Sequence, residues 1–246
     1  MWDIGFVKSL IWCMLRTFDK VKLEIRTKEI ELLPEKALFI QEERILVLAD
    51  LHFGKVNHFR QAGLPVPQSA NQKNTETLID LINEKNPART IFLGDLFHSH
   101  YNEEWEVVGQ IVNNFPACQF ALVRGNHDIM TEQQYRRKGI EVIEHEQIDD
   151  LILTHEPMNK AEILKDNINL AGHLHPGARL QGKGRQSLML PCFWFSGNQI
   201  ILPAFGSFTG LATIHPREGD QVYIVLENKI MQVALESREG GSIVRS

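Results

Sequence analysis

The sequence predicts an α/β protein that becomes α+β along its length, and three observations carry that reading. The first half alternates short apolar runs with stretches of helical period. After Gly177 the texture changes, and Gly182, Gly184, Gly197, Gly206 and Gly210 punctuate β-type runs. A chain of 246 residues, 43% hydrophobic and 23% charged, is long and apolar enough to bury a sizeable core.

Taken in order, Ala37–Ile40 and Ile45–Ala49 read as buried strands joined by the turn 41–44. A helix is expected over 75–85, with Leu78, Leu81 and Ile82 on one face and Asn86-Pro87 ending it. A strand follows at 90–93, then a helix over 103–115 whose Trp105, Val108, Ile111, Val112 and Phe115 share a face. Gln119–Val123 is the next strand, with a helix near 131–137. Leu151–Thr154 and Ile168–Ala171 read as strands around a helix at 160–165. Strands are expected at 188–195, 199–202, 222–226 and 230–235. Residues 1–20 read as a short amphipathic extension, 21–236 as one domain and 237–246 as a polar, mobile tail.

Composition excludes several classes. Disorder throughout, collagen-like repeats and a coiled coil do not fit it. A net charge of −5 does not make a general electrostatic glue for nucleic acid, so any such contact needs a local basic patch or metal ions. Cys13, Cys118 and Cys192 are far apart and form no CxxC, which fits a reducing cytoplasm and neither a disulfide scaffold nor a thiolate zinc site. The longest uncharged run near the start, 9–15, is far short of the ~20 residues a membrane span needs.

The chemistry sits at the strand ends. Five apolar strands run into Asp50-Leu51-His52, Gly94-Asp95, Gly125-Asn126-His127-Asp128, His155 and Gly172-His173-Leu174-His175. Open α/β sheets place their sites at such carboxyl ends, here expected at one edge of one sheet. Each motif alone has an ordinary explanation: a turn, a helix cap, a satisfied histidine. Together they would require five coincidences at one place.

Asp50, His52, Asp95, Asn126, His155, His173 and His175 offer oxygen and imidazole ligands and no thiolate. That is too many for one ion and right for two. The mixed set suits manganese, iron or zinc better than magnesium. Two ions ~3.5–4 Å apart need a shared carboxylate, and Asp95 is central in the order. Two divalent cations outweigh two carboxylates, leaving positive charge that favours a phosphate ester anion. His127 is left over, able to protonate a leaving oxygen, with Asp128 expected to fix its orientation.

On these motifs the sequence resembles the calcineurin-like metallophosphoesterase superfamily. The resemblance implies a four-layer αββα sandwich of two mixed β-sheets flanked by helices. It implies one metal on Asp50, His52, Asp95 and His175, a second on Asp95, Asn126, His155 and His173, and a catalytic His127. Many members carry a further charged residue after the Gly-Asp pair. Here the segment is Gly94-Asp95-Leu96-Phe97-His98, and His98 is expected to support the site from outside the ligand set or to cap the next loop.

The stretches ADLHFGKVNHFRQAGLPVPQ, from Ala49, and LPAFGSFTG, from Leu202, are similar to the ligase-associated metallophosphoesterases. That likeness implies a manganese-dependent phosphodiesterase or DNA endonuclease, linked to a DNA ligase, a helicase and an exonuclease-like nuclease in bacterial DNA repair. Lys55, His58 and Arg60 follow the first ligands, and Arg179, Lys183 and Arg185 follow the last; both sets are candidates for contact with a phosphodiester backbone, solvated loop charge being the alternative. Two other readings stay open. One is a small-molecule or cyclic-nucleotide phosphodiesterase; the other is a non-catalytic scaffold, which the complete ligand set and His127 disfavour.

Overall fold

The computed structural model describes residues 17–54, 69–97, 103–181, 186–207, 209–233, 235–236 and 243–244. The chain opens with β1 (Thr17–Phe18), β2 (Val21–Ile25), β3 (Lys28–Leu33), β4 (Ala37–Ile40) and β5 (Ile45–Ala49). Then come α1 (Ser69–Lys85), β6 (Arg89–Leu93), α2 (Glu103–Asn114), β7 (Gln119–Val123), α3 (Glu132–Arg137) and β8 (Ile140–Ile143). The second half is strands: β9 (Glu146–Ile148), β10 (Leu151–Thr154), β11 (Ile168–Ala171), β12 (Pro176–Gln181), β13 (Ser187–Ser196) and β14 (Gln199–Ile201). They are followed by β15 (Ala212–Thr213), β16 (Gln221–Val225), β17 (Ile230–Val233), β18 (Leu235–Glu236) and β19 (Ile243–Val244).

Two mixed sheets with flanking helices result. The first is ordered β2-β3-β4-β5-β6-β7-β8, an antiparallel meander up to β5 and parallel beyond it. The second runs β1-β17-β16-β13-β14-β11-β10-β9, with β12 and β15 attached through β13. Strand alternation explains the layering. Leu46 and Leu48 of β5, Phe92 of β6 and Phe120 and Leu122 of β7 pack with Leu78, Leu81 and Ile82 of α1 and with Trp105, Val108 and Ile111 of α2. The intervening Val47, Ala49, Ile91, Leu93, Ala121 and Val123 face the second sheet, meeting Leu153, Leu170, Phe193 and Ile200. These strands are apolar on both faces because both are covered. A third cluster, with Ala178, Cys192, Val222, Ile224 and Met231, completes the second sheet. No described helix is long and apolar enough to cross a membrane.

The ligand-bearing strands do not share one sheet as expected. β5, β6 and β7 lie in the first sheet, β10 and β11 in the second. The helix expected at 160–165 is absent: Asn159 Oδ1 accepts from the Ala161 amide (3.2 Å) and Asn159 O from the Glu162 amide (2.9 Å), so the segment is turns. Six residues are too few to propagate a helix of their own accord. β1 pairs with β17, so the end of the expected extension joins the sheet; β19, within the expected tail, pairs with β18.

Candidate metal centre

Five of the seven expected ligands adopt left-handed backbone: Asp50 (φ 53°), His52 (50°), Asp95 (49°), His173 (66°) and His175 (46°). Such conformations cost non-glycine residues about 1–3 kcal/mol each and persist only where neighbours over-determine them. Here neighbours do. The His52 amide donates to Asp95 O (2.9 Å), the Phe53 amide to Leu96 O (3.0 Å) and the His173 amide to Asp50 Oδ2 (2.8 Å). The first two bonds tie the loop after β5 to the loop after β6, and the third ties the first sheet to the second. Gly94 (φ 71°) is needed for close approach, since a Cβ there would lie 2.1 Å from His155 Nδ1.

The side chains then converge. His52 Nε2 and His175 Nε2 are 3.5 Å apart, and Asp50 Oδ1 is 3.4 Å from His175 Nε2. On the other side, His155 Nε2 lies 3.1 Å from Asn126 Oδ1, 3.1 Å from His173 Nδ1 and 3.5 Å from Asp95 Oδ1. His155 Nδ1 is 3.0 Å from Leu93 O, which can only accept. The His155 proton therefore sits on Nδ1, and the Nε2 lone pair faces the cluster.

Two compact groups could hold a cation, Asp50–His52–His175 and Asp50–Asp95–His155. Asp50 is in both, yet its 3.9 Å approach to His155 is to the nitrogen already bound to Leu93. Asp95 instead turns Oδ2 towards His52 (3.9 Å) and Oδ1 towards His155 (3.5 Å), so its two oxygens face different groups. The cluster fits divalent cations on two counts. Asp50 and Asp95 are 0% and 2% exposed, and their recorded ion-pair partners among the described residues are histidines, which are neutral unless protonated. Asp50 Oδ1, moreover, is buried without a hydrogen-bond partner. Two buried carboxylates with no cationic partner fixed beside them are costly, and cations remove that cost.

His127 is exposed at the rim; its amide donates to Asp95 Oδ1 (3.0 Å) and its ring lies 6.0 Å from that of His52. Asp128, expected to orient His127, is buried and does something else. Its Oδ2 accepts from the Asp95 and Gly125 amides (2.8 and 2.9 Å), and its Oδ1 from the Leu96 amide and the Tyr135 hydroxyl (3.0 and 3.1 Å). The carboxylate fastens the loop after β6 to the loop after β7. Burial raises its pKa, the Gly125 amide opposing. Burial and the Asp128 charge raise the pKa of Tyr135, which stays a donor. Residue type alone does not single out Tyr135 beyond its place in a helix. Trp105 packs edge-on against both Phe97 (5.5 Å) and Tyr135 (5.1 Å), stiffening the same junction.

Of the expected substrate contacts, Arg179 lies exposed on β12. Lys55, His58, Arg60, His98, Lys183 and Arg185 fall outside the described residues.

The LPAFGSFTG stretch now has a physical account. The Phe205 amide donates to Ala49 O (2.8 Å) and the Gly206 amide to Asp50 O (3.2 Å). A Cβ on Gly206 would lie 2.6 Å from Leu51 O, so only glycine lets this loop brace the first ligand turn. Lys36 closes the brace from behind, its Nζ donating to Phe205 O (2.5 Å). Burial, with the charge of Lys73 adding, lowers the Lys36 pKa from 10.5 to about 8. The unfolded chain keeps that proton up to 10.5 while the fold releases it near 8. Stability therefore rises as pH climbs through that window, by up to about 3 kcal/mol, and the gain is lost as pH falls back through 8. Melting temperatures of wild type and Lys36→Met across the window check this; a constant difference between them counts against it.

Residues 43–171 match the calcineurin-like phosphoesterase family. The matched span holds Asp50, His52, Asp95, Asn126, His127 and His155 and ends at Ala171, so His173 and His175 join the site by geometry. The crystal structure of the nuclease MPE of Pseudomonas putida is similar, at 28% identity and a TM-score of 0.70 over 84% of this chain and 96% of that one. The phosphoesterase Yfce of E. coli is similar at 15% identity and a TM-score of 0.40, over 77% of this chain and 92% of that one. No curated protein sequence matches the chain.

Proposed function

The chain belongs to the calcineurin-like phosphoesterases, metal-dependent hydrolases of phosphoric esters, and from that premise we propose that it cleaves phosphodiester bonds in DNA. The observation that carries the reading is the two-sided Asp95, with a nitrogen- and oxygen-bearing group on each side. Asp50, His52, Asp95 and His175 would hold one divalent cation and Asp95, Asn126, His155 and His173 the other. Manganese is the first choice, with iron and zinc as alternatives. When bound, the pair supplies Lewis-acid charge for the phosphoryl oxygens and lowers the pKa of a water.

The protein's own part is to aim groups. His155 is held in one tautomer by Leu93 O. Asp128 and Tyr135 fix the loop that presents His127 at the open face, where it can protonate the departing oxygen. Arg179 stands beyond the last ligands as a contact for the strand.

The nuclease MPE is a 28% identical neighbour, which supports nucleic acid as the substrate class. The stretches resembling ligase-associated members support a repair role beside a DNA ligase, a helicase and an exonuclease-like nuclease. The free thiols of Cys118 and Cys192 suit the cytoplasm.

A substrate panel with manganese tests the reading. Bis-p-nitrophenyl phosphate and single- or double-stranded DNA are expected to be cut, p-nitrophenyl phosphate and cyclic nucleotides far more slowly. Fast turnover of cyclic nucleotides with intact DNA would move the assignment to a small-molecule enzyme.

A further inference from the structure

Beside the cluster lies a pocket of about 480 Å³ that no step so far uses. It is built by the crossover loop (Lys160), the ligand loop (Leu174), β13 (Trp194, Ser196), β15 and the segment carrying His215 and Arg217. It adjoins the metal centre directly. Leu174, 40% exposed, stands between the ligands His173 and His175, and the Ala212 amide on the pocket wall donates to His175 O (3.0 Å).

Its chemistry has two halves. Trp194 and Leu174 present an apolar wall. The indole is half-buried, packs on the third core cluster and is pinned by donating to Asp220 Oδ2 (2.9 Å), which also accepts from the Arg217 amide (3.0 Å). It is a fixed platform rather than a mobile side chain. Lys160, His215 and Arg217 add cationic or titratable groups, and Lys160 is steadied by Ser196 Oγ (2.8 Å). Among the described residues, none of the side chains lining the pocket is acidic, in a chain whose net charge is −5. A volume in the range of small-ligand sites, one aromatic platform and a cationic rim suit a ligand that is flat at one end and anionic at the other.

The geometry points to a nucleoside subsite: the pocket receives the base next to the scissile phosphate, stacked on Trp194, while Lys160 and Arg217 hold the following phosphate. This rests on the phosphodiesterase reading above and adds the group that the enzyme recognises beyond the phosphate itself.

The test compares kcat/KM, with manganese, on p-nitrophenyl thymidine 5′-phosphate and on methyl p-nitrophenyl phosphate, which has no second ring to fill the pocket. Wild type should favour the thymidine ester. Trp194→Ala should lower the value on the thymidine ester by about 5- to 150-fold, the usual worth of one stacked base, and leave the methyl ester within about twofold. Trp194→Phe should retain the preference, and Arg217→Gln, at an exposed position, should flatten the salt dependence on oligothymidylate by about one power of salt concentration. An unchanged thymidine preference in Trp194→Ala, or an equal loss on both esters, overturns the subsite and leaves the phosphodiesterase reading standing. Failure of wild type to cleave either ester overturns both.

Discussion

An Asp95→Asn chain is expected to bind fewer than two divalent cations and to lose about 10³-fold or more in phosphodiester hydrolysis, since two metals contribute several kcal/mol of transition-state stabilisation. The reason is local: one oxygen faces His52 and the other His155, and an amide presents one oxygen where two are needed. Misfolding is a separate matter that the same variant settles. In chelator, Asp50 and Asp95 are two buried carboxylates side by side, so removing one charge should leave the metal-free melting temperature equal or higher. Metal analysis showing two cations per chain with full turnover would remove Asp95 from its assigned place.

His127→Ala is expected to keep both cations and to slow turnover of an ester with a poor leaving group by about 10²–10⁴-fold, the usual worth of general acid help. The effect should shrink as the leaving group improves, because a good leaving group needs no proton. The side chain stands at the rim, and the amide that donates to Asp95 Oδ1 is kept by any residue but proline, so alanine retains that bond. Undiminished turnover on the poor leaving group would take the acid's role from His127.

How much of this was legible in the sequence depended on burial. β4, β5, β7, β10 and β11 were read to the residue because each is a short, mainly apolar run stopped by a polar residue, a charge, a glycine or a histidine. β2 and β3 escaped because Lys22, Glu24, Lys28, Glu29 and Glu31 break the apolar pattern; β2 is a half-exposed edge, and in β3 Lys28 and Glu31 are buried with ion-pair partners that residue type does not announce. All seven expected ligands were named and the structure brings them together, since their residue types are conspicuous at strand ends. What the sequence could not show was which sheet an apolar strand would join. Five short apolar strands, each ending in a ligand-type residue, read alike, and only pairing divides them three and two. Asp128 misled for a different reason: adjacency to His127 suggested a contact, whereas the turn at 126–127 sends the Asp128 carboxylate back onto backbone amides. Its partners are amides three residues before it and about thirty residues away, along with the Tyr135 hydroxyl seven residues on. Backbone groups such as Leu93 O, which set the tautomer of His155, leave no trace in residue type at all.

The division of the ligands between the sheets has a consequence for the life of the chain before it is mature. Both carboxylates, with His52 and Asn126, follow strands of the first sheet, and the other three imidazoles follow strands of the second. Neither half carries a complete hydrolytic apparatus. A nascent or half-assembled chain therefore lacks the phosphoesterase activity, which arises only once the two sheets are docked on each other.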